Sequence, residues 1–219
     1  MPVKVKICGI KTPEALQAAL AARADLIGLV FYPPSPRSLA PEVAAELAEL
    51  ARGRATIVAL IVDADDALIE RIVRTVDPDM LQLHGAETPE RIAEITRRWG
   101  KPVIKAVKVE TGTDAAQALT YAGVAQLILF DAKAPKDLAG ALPGGNGLAF
   151  DWHLLDGVKD DVPFMLSGGL TPENVGDAIA ATGATVVDVS SGVETAPGVK
   201  SPDLIRRFID AARAVHAPA

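Results

Sequence analysis

Two reactive side chains stand where strand-like runs of the sequence end. Cys8 closes the run Val3 to Ile7, and Asp131 closes the apolar run Leu127 to Phe130. Cys8 has no His or Asp beside it, so a nucleophilic dyad is not indicated, and a general base is at least as plausible. Asp131 could serve as a general acid if a closing loop dried the site and kept it protonated. The alternatives are a small buried thiol and a loop cap paired with Lys133.

Three further side chains at strand ends are candidates for substrate binding. Arg37 follows several prolines, which restrict its loop and could hold its guanidinium fork toward a carboxylate. The alternative is an exposed ion pair with Glu42. His84 could be catalytic or simply a hydrogen-bonded histidine. Asp188 interrupts an apolar strand, so it must contact something polar, and we expect it to support a basic or hydroxyl partner.

Small residues follow the runs Phe164 to Leu166 and Val186 to Val189. Glycine lets the main chain approach a ligand closely, and adjacent backbone N–H groups can bind an anion. Either segment alone could be an ordinary turn. Because the two lie about one repeat apart on the last two predicted strands, we expect a phosphate site like that of a (β/α)₈ barrel. Its predicted residues are Gly168, Gly169, Ser190, Ser191 and Gly192.

The elements that must position these groups repeat along residues 1–219, which we expect to form one domain. Strand-like runs alternate with helical stretches of roughly ten residues, which predicts an α/β fold. No G-x-G-x-x-G sequence follows the first strand, and eight units favour a closed (β/α)₈ TIM barrel over an open sheet. The runs begin near Val3, Leu26, Thr56, Met80, Val103, Gln126, Phe164 and Val186.

Helix starts carry a local signature of proline followed by an acid, and in four of the five a hydroxyl residue that can cap the first turn stands before the proline. Proline suits the first helical position, and the acid favours the positive end of the helix dipole. The signature occurs at Thr12, Ala40, Thr88, Thr171 and Ser201. The exception to the regular spacing is Ala132 to Gly147, a Gly/Pro-rich stretch that predicts a lid or another functional loop.

The composition and net charge of the chain limit the kinds of partner that it can bind. The 219 residues include 49% hydrophobic ones and carry a formal charge of −6, which argues against nucleic acid or an anionic membrane as partner. The lone cysteine excludes an internal disulfide, and no signal-like segment begins the sequence. The longest apolar run, Ile57 to Val62, is too short to span a bilayer. We expect a cytoplasmic protein that acts on a small molecule.

Seven motifs, in order along the chain, closely resemble the phosphoribosylanthranilate isomerase family of tryptophan biosynthesis: KVKICGI, GLVFYPPSPRSL, LQLHG, LILFDAK, GGNGLAFDW, LSGGLTPENV and VDVSSGVE. The resemblance implies a ribulose-phosphate-binding barrel that performs an Amadori rearrangement without metal or other cofactor. By motif position, Cys8 resembles the general base, Asp131 the general acid and Arg37 the group that holds the anthranilate carboxylate. We expect a monomer, with a dimer as the alternative.

The match has one small departure. Asn146 and the pair Leu148–Ala149 stand where the family more usually has a threonine and a lysine. This difference touches none of the assigned catalytic residues, although it could alter how the loop covers the site.

The sequence leaves two other functions open. The sister isomerase of histidine biosynthesis performs the same rearrangement, but its first strand ends with aspartate, and a second glycine-rich phosphate-binding segment follows its third and fourth strands. The segments Val62 to Asp65 and His84 to Ala86 contain no such glycine-rich sequence. The other alternative, a barrel that only binds a sugar phosphate, predicts an incomplete set of strand-end groups, whereas every expected position is filled here.

Overall fold

Eight parallel strands close into a barrel in sequence order, and β8 pairs with β1. The computed structural model describes residues 2–134 and 144–215, so most of the predicted lid, Ala132 to Gly147, lies outside the described residues. The closed barrel and its strand positions confirm the prediction, within one residue at each start. The strands are β1 (Lys4–Cys8), β2 (Leu26–Val30), β3 (Thr56–Ile61), β4 (Met80–Leu83), β5 (Val103–Val109), β6 (Leu127–Ala132), β7 (Phe164–Leu166) and β8 (Val186–Val189).

Helices follow most of the strands: α1 (Pro13–Ala21), α2 (Pro41–Ala51), α3 (Asp66–Val76), α4 (Pro89–Trp99), α5 (Gly112–Ala116), α6 (Val175–Thr182) and α7 (Pro202–Ala214). The expectation of a full helix in every unit was wrong for the fifth, which has the short α5 continued by the 3₁₀ helix Gln117–Tyr121. Between β6 and β7 the described residues form the 3₁₀ helix Trp152–Leu155, and for that unit, described only in part, the expectation stays a prediction. Among the helices described, none is long and apolar enough to cross a membrane.

The predicted helix starts are confirmed in four of five cases. Thr12, Thr88 and Ser201 each accept a hydrogen bond from the backbone N–H three residues later, whereas the helix after Ala40 has no side-chain cap. Thr171 was predicted wrongly. Its segment forms a turn in which the Asn174 side chain accepts from the Thr171 N–H, and α6 begins only after that turn.

Alternation along the strands separates two environments. One apolar cluster, built only from strand residues, fills the barrel interior: Leu26, Val58, Ile104, Ala106, Leu129 and Met165. A larger cluster packs the outer strand faces against the helices. In β1, the same alternation places Lys6 and Cys8 on one face, where Lys6 is in register with Asp188 and Cys8 with Gly28. The side chains of Lys6, Cys8 and Asp188 therefore share the barrel interior with the apolar cluster of strand residues.

A small hairpin sits between β8 and α7. Its antiparallel strands are β9 (Glu194–Ala196) and β10 (Val199–Lys200). The turn uses Gly198 with φ +80°, a backbone conformation that favours glycine. Because the hairpin pairs Glu194 with Lys200, it brings two charged side chains to the rim of the barrel.

Candidate active site

One pocket at the C-terminal ends of the strands collects all five predicted side chains. Cys8, Arg37, His84, Asp131 and Asp188 line it, although they come from five different strands or their following loops. The two glycine-containing segments after β7 and β8 line the same pocket. Parallel strands in a barrel point their carboxyl ends to one face, so residues distant in sequence meet there.

Asp131 lies in a hydrogen-bonded group with His84 and Gln82. His84 Nε2 is 3.2 Å from Asp131 Oδ2, and Gln82 Nε2 is 3.0 Å from His84 Nδ1. With the Gln82 amide nitrogen as donor, His84 Nδ1 accepts and Nε2 carries the proton toward Asp131. The backbone N–H of Ala132 donates to Asp131 Oδ1 at 3.0 Å. All three side chains are buried, so Asp131 is held in one orientation facing the pocket.

The sequence alternative that paired Asp131 with Lys133 was wrong. Lys133 Nζ lies 3.2 Å from Glu110 Oε2 and 3.3 Å from Asp114 Oδ1. β6 ends at Ala132, so Lys133 lies beyond the strand, and its ammonium group is engaged by Glu110 and Asp114 and not by Asp131.

Cys8 is buried beside an ammonium group. An imagined Cβ on Gly28 would lie 2.8 Å from Cys8 Sγ and 3.1 Å from Lys6 Nζ, so both atoms crowd the same point of the barrel. Burial raises the pKa of the Cys8 thiol above its ordinary value, and the nearby ammonium groups of Lys6 and Lys200 oppose that rise. The absence of a side chain at Gly28 is what lets the thiol and the ammonium group meet.

Asp188 contacts the two kinds of partner expected from the sequence. Lys6 Nζ donates to Asp188 Oδ1 at 2.8 Å, and Ser167 Oγ donates to Asp188 Oδ2 at 3.2 Å. Burial alone would lower the pKa of Lys6, but Asp188 and Cys8 outweigh it and raise that pKa. Lys6 is therefore a charged group inside the barrel.

Arg37 does not pair with Glu42, which instead contacts Arg71 at 2.7 Å. Arg37 Nε and Nη2 each donate to a carboxylate oxygen of Glu194 at 2.8 Å, in a bidentate pair buried at the rim. Glu194 also accepts from Lys200 Nζ at 2.8 Å. Burial would raise the pKa of Glu194, but the two cations hold it below its usual value. The Arg37 guanidinium is thus oriented by the β9–β10 hairpin.

The two glycine segments form tight backbone turns. Gly168 and Gly169 have φ of +85° and +61°, which side chains disfavour. Among residues 2–134 and 144–215, no acceptor takes a hydrogen bond from the backbone N–H groups of Gly168, Gly169, Ser191 or Gly192. Such free N–H groups suit an anion.

Glycine is required at positions 168, 169 and 192 for a reason other than leaving space for a ligand. A Cβ on Gly168 would lie 2.7 Å from the backbone nitrogen of Ala132, and one on Gly169 would lie 2.6 Å from the backbone nitrogen of Ala149. A Cβ on Gly192 would overlap the carbonyl oxygen of Leu170. Glycine is therefore needed because the loops at the pocket pack backbone against backbone.

The end of the loop after β6 reaches the polar groups of the site. A Cβ on Gly144 would lie 2.6 Å from His84 Nε2 and 2.7 Å from Asp131 Oδ2, and one on Gly145 would lie 2.8 Å from Arg37 Nη1. The Gly145 carbonyl oxygen also accepts from Arg37 Nη2 at 3.3 Å. This segment therefore covers both Asp131 and Arg37.

Sequence reasoning missed four residues of the site: Lys6, Gln82, Glu194 and Lys200. A signal existed for Lys6 and Gln82, since each is a polar residue two positions before a candidate on the same strand face. Nothing local distinguishes Glu194 or Lys200 from exposed charges, because their burial comes from the hairpin packing against Arg37.

Two lysines of β5, Lys105 and Lys108, lie on opposite faces of that strand. Lys105 is buried outside the barrel interior, where Nζ contacts Glu87 at 2.8 Å and the Gly85 carbonyl oxygen at 2.6 Å. Lys108 is in register with Asp131. The contacts of Lys105 hold the loop after β4 in place, which is a structural role.

No cluster of three or more His, Cys, Asp or Glu side chains suited to a metal occurs within the described ranges. The polar groups of the pocket are instead one thiol, one carboxyl–imidazole pair and several cations engaged by carboxylates. These are groups for binding anions and for transferring protons.

Both the sequence and the fold of this chain are similar to those of known proteins. The family described as N-(5'phosphoribosyl)anthranilate (PRA) isomerase matches residues 5–211. The N-(5'-phosphoribosyl)anthranilate isomerase of Rhodopseudomonas palustris (strain BisA53) is 58% identical over 214 residues, covering 98% of this chain and 97% of the relative. That of Parvibaculum lavamentivorans is 52% identical, covering 97% and 99%.

Solved structures agree. The phosphoribosyl anthranilate isomerase from Thermotoga maritima superposes with a TM-score of 0.87 at 37% identity, covering 97% of this chain and 100% of that one. A phosphoribosyl anthranilate isomerase in complex with reduced 1-(o-carboxyphenylamino)-1-deoxyribulose 5-phosphate gives a TM-score of 0.84 at 36% identity, with the same coverage. On its fold, its pocket and its relatives, this chain belongs to the N-(5'-phosphoribosyl)anthranilate isomerase family.

Proposed function

We propose that this chain converts N-(5-phospho-β-D-ribosyl)anthranilate to 1-(2-carboxyphenylamino)-1-deoxy-D-ribulose 5-phosphate, with Cys8 as general base and Asp131 as general acid. The observation that carries the proposal is that these two groups, from β1 and β6, line one pocket together with Arg37 and both glycine segments. An acid and a base on separate strands suit a reaction with two proton transfers at different atoms.

Asp131 acts first. Its carboxylic acid protonates the furanose ring oxygen as the ring bond to the anomeric carbon breaks, and the lone pair of the anthranilate nitrogen forms the iminium. The hydrogen bond between His84 and Asp131 holds the carboxyl group in place. The backbone at Gly144 lies against both side chains, which limits water at the acid.

Cys8 acts second. Its thiolate removes the proton from the neighbouring sugar carbon, and the electrons of the broken C–H bond flow into the iminium, which gives a neutral enolamine. The enolamine tautomerises to the ketone, and proton exchange with solvent restores the starting protonation of both residues. The iminium itself accepts the electron pair, so the chemistry asks for no metal.

Arg37 and the glycine segments are the proposed anchors at the two ends of the substrate. The Arg37 guanidinium would bind the anthranilate carboxylate while Glu194 fixes its orientation. The N–H groups of Gly168, Gly169, Ser191 and Gly192, which have no acceptor among the described residues, would bind the phosphate with the Ser190 side chain beside them. His84 and Asp188 line the space between the anchors, where a carboxylate with two protein partners can still accept from a sugar hydroxyl.

The test is Cys8→Ser and Asp131→Asn, each compared with the exposed Asp160→Asn as a matched control. Turnover is followed by anthranilate fluorescence, and product binding is measured by calorimetry. We expect both site variants to lose turnover while retaining product affinity, because a serine hydroxyl scarcely ionises near neutral pH and an amide has no acidic proton to deliver. Near-native turnover of Cys8→Ser would assign the base elsewhere, with His84 as the first candidate.

The same assay separates the alternatives. A barrel that only binds sugar phosphate would bind product without turnover, and an isomerase of histidine biosynthesis would prefer a substrate with two phosphates. We also propose that the chain works in the cytoplasm and as a monomer, with a dimer as the alternative. Light scattering of the eluted protein distinguishes the two oligomeric states.

A further inference from the structure

Lys6 is a charged side chain that the reaction described above does not use. It has no exposed surface and ranks with Lys105 among the largest fully buried side chains of the described residues. Placing an ammonium group inside a barrel is costly unless it is paired. Asp188 supplies the opposite charge at 2.8 Å, and Ser167 donates to the second oxygen of that carboxylate.

The position of Lys6 relates to the thiol. A Cβ placed on Gly28 would lie 2.8 Å from Cys8 Sγ and 3.1 Å from Lys6 Nζ. The sulfur and the ammonium nitrogen are therefore separated by no more than the sum of these two distances. At such a separation inside a protein, an ammonium group stabilises a thiolate appreciably.

Other charged groups surround Cys8. Lys200, from β10, also favours the thiolate, whereas Asp188, from β8, disfavours it. Arg37 packs its aliphatic carbons over Gly9, the next residue. Arg37 and Lys200 share the Glu194 carboxylate, so their charges are partly neutralised. Lys6 is the cation that shares the space beside Gly28 with the Cys8 thiol, and its ammonium group lowers the pKa of that thiol.

We propose that Lys6 is a positioning residue for the isomerisation, whose ammonium group, held by Asp188 and Ser167, stabilises the Cys8 thiolate that removes the proton from carbon. This inference rests on the proposed role of Cys8. Burial alone would leave Cys8 a poor base, because a thiolate in an apolar environment is disfavoured. The ammonium group offsets part of that cost without donating a proton to the substrate.

The experiment uses the fact that Cys8 is the only cysteine of the chain. The rate of alkylation of the ligand-free protein by iodoacetamide, measured from pH 6 to 11, reports the ionisation of this one thiol. Absorbance of the thiolate near 240 nm gives an independent measure. We expect Lys6→Met to move the titration midpoint upward, and alkylation at pH 7.5 should slow about tenfold for each pH unit by which the midpoint rises. Turnover should fall in parallel while KM changes little.

Lys105→Met is the matched control. Lys105 is also buried and also paired with a carboxylate at 2.8 Å, but it lies outside the barrel interior. Its loss should destabilise the fold by a similar mechanism while leaving the alkylation midpoint of Cys8 unchanged. A purely structural role of Lys6 would make the two variants behave alike.

A second variant guards against misfolding. Lys6→Met alone leaves Asp188 buried without its cation, so the double variant Lys6→Met/Asp188→Asn removes both charges. Because the double variant still lacks the ammonium group that stands beside the thiol at Gly28, it should titrate above the parent protein. A midpoint equal to or below that of the parent protein in either variant overturns the inference. The proposed function would survive that outcome if Cys8→Ser is inactive.

Discussion

Replacing Gly168 with alanine tests whether the phosphate segment and the acid are mechanically linked. Gly168 has φ +85°, and an added Cβ would lie 2.7 Å from the backbone nitrogen of Ala132. That same N–H donates to Asp131 Oδ1 at 3.0 Å. The substitution should therefore strain the turn and also push on the residue that orients the acid.

The magnitude can be estimated against Gly53→Ala. Gly53 has a similar φ of +74°, but nothing lies within 4 Å of its added Cβ. Both substitutions share a backbone strain of about 1–2 kcal/mol. Gly168→Ala adds overpacking against backbone atoms, which costs about 1–3 kcal/mol. At about 2–4 °C per kcal/mol for a chain of this size, Gly168→Ala should melt roughly 2–12 °C below Gly53→Ala.

Thermal unfolding gives the stability difference, and steady-state kinetics give the function. Gly53→Ala should keep the parent kcat and KM, because its turn lies away from the pocket. We expect Gly168→Ala to raise KM through the displaced N–H groups and to lower kcat through the disturbed Asp131. Equal melting temperatures for the two variants, with parent kinetics for Gly168→Ala, would refute the reasoning.

Three further outcomes are expected. Arg37→Ala should raise KM about 10- to 150-fold with little change in kcat, because a charge-assisted contact of roughly 1.5–3 kcal/mol is lost, while Glu194 keeps Lys200 as a partner; unchanged calorimetric affinity for product would contradict this. Turnover should survive exhaustive chelation, and a loss restored by adding back one metal would count against a metal-free mechanism. Burial raises the pKa of the Cys8 thiol above its value in the unfolded chain. The stability that the neutral thiol contributes is therefore complete below the unfolded pKa of about 8.5 and is lost as the pH rises through the folded pKa. Between pH 8 and 10, the free energy of unfolding measured with denaturant should fall more for the parent protein than for Cys8→Ala.

Most of the architecture could be predicted from local patterns in the sequence. Strand starts follow from short apolar runs, whose residues are buried on both faces of a parallel barrel strand and so need no distant information. The caps at Thr12, Thr88 and Ser201 likewise depend on three or four neighbouring residues. The helix start predicted at Thr171 was wrong because the Thr171 N–H donates to the Asn174 side chain, a contact that the proline signature does not include. The resulting turn comes first, and α6 begins after it.

The reactive positions were also readable from the sequence, since a polar residue that ends an apolar strand must face a pocket or solvent. The sequence alone therefore determined that Cys8, His84 and Asp131 stand at strand ends and that Asp188 interrupts an apolar strand. It also carried the family, because seven short motifs in order are far more specific than any one of them.

Only the tertiary structure decided which partner each group has. Lys6 pairs with Asp188 across 182 residues, and Arg37 pairs with Glu194 across 157. Barrel closure joins β1 to β8 and folds the hairpin over the rim, so these contacts depend on the register of distant strands and not on spacing along the chain. Because charge and burial act through space, the sequence could name the thiol at position 8, but only the fold could place an ammonium group beside it.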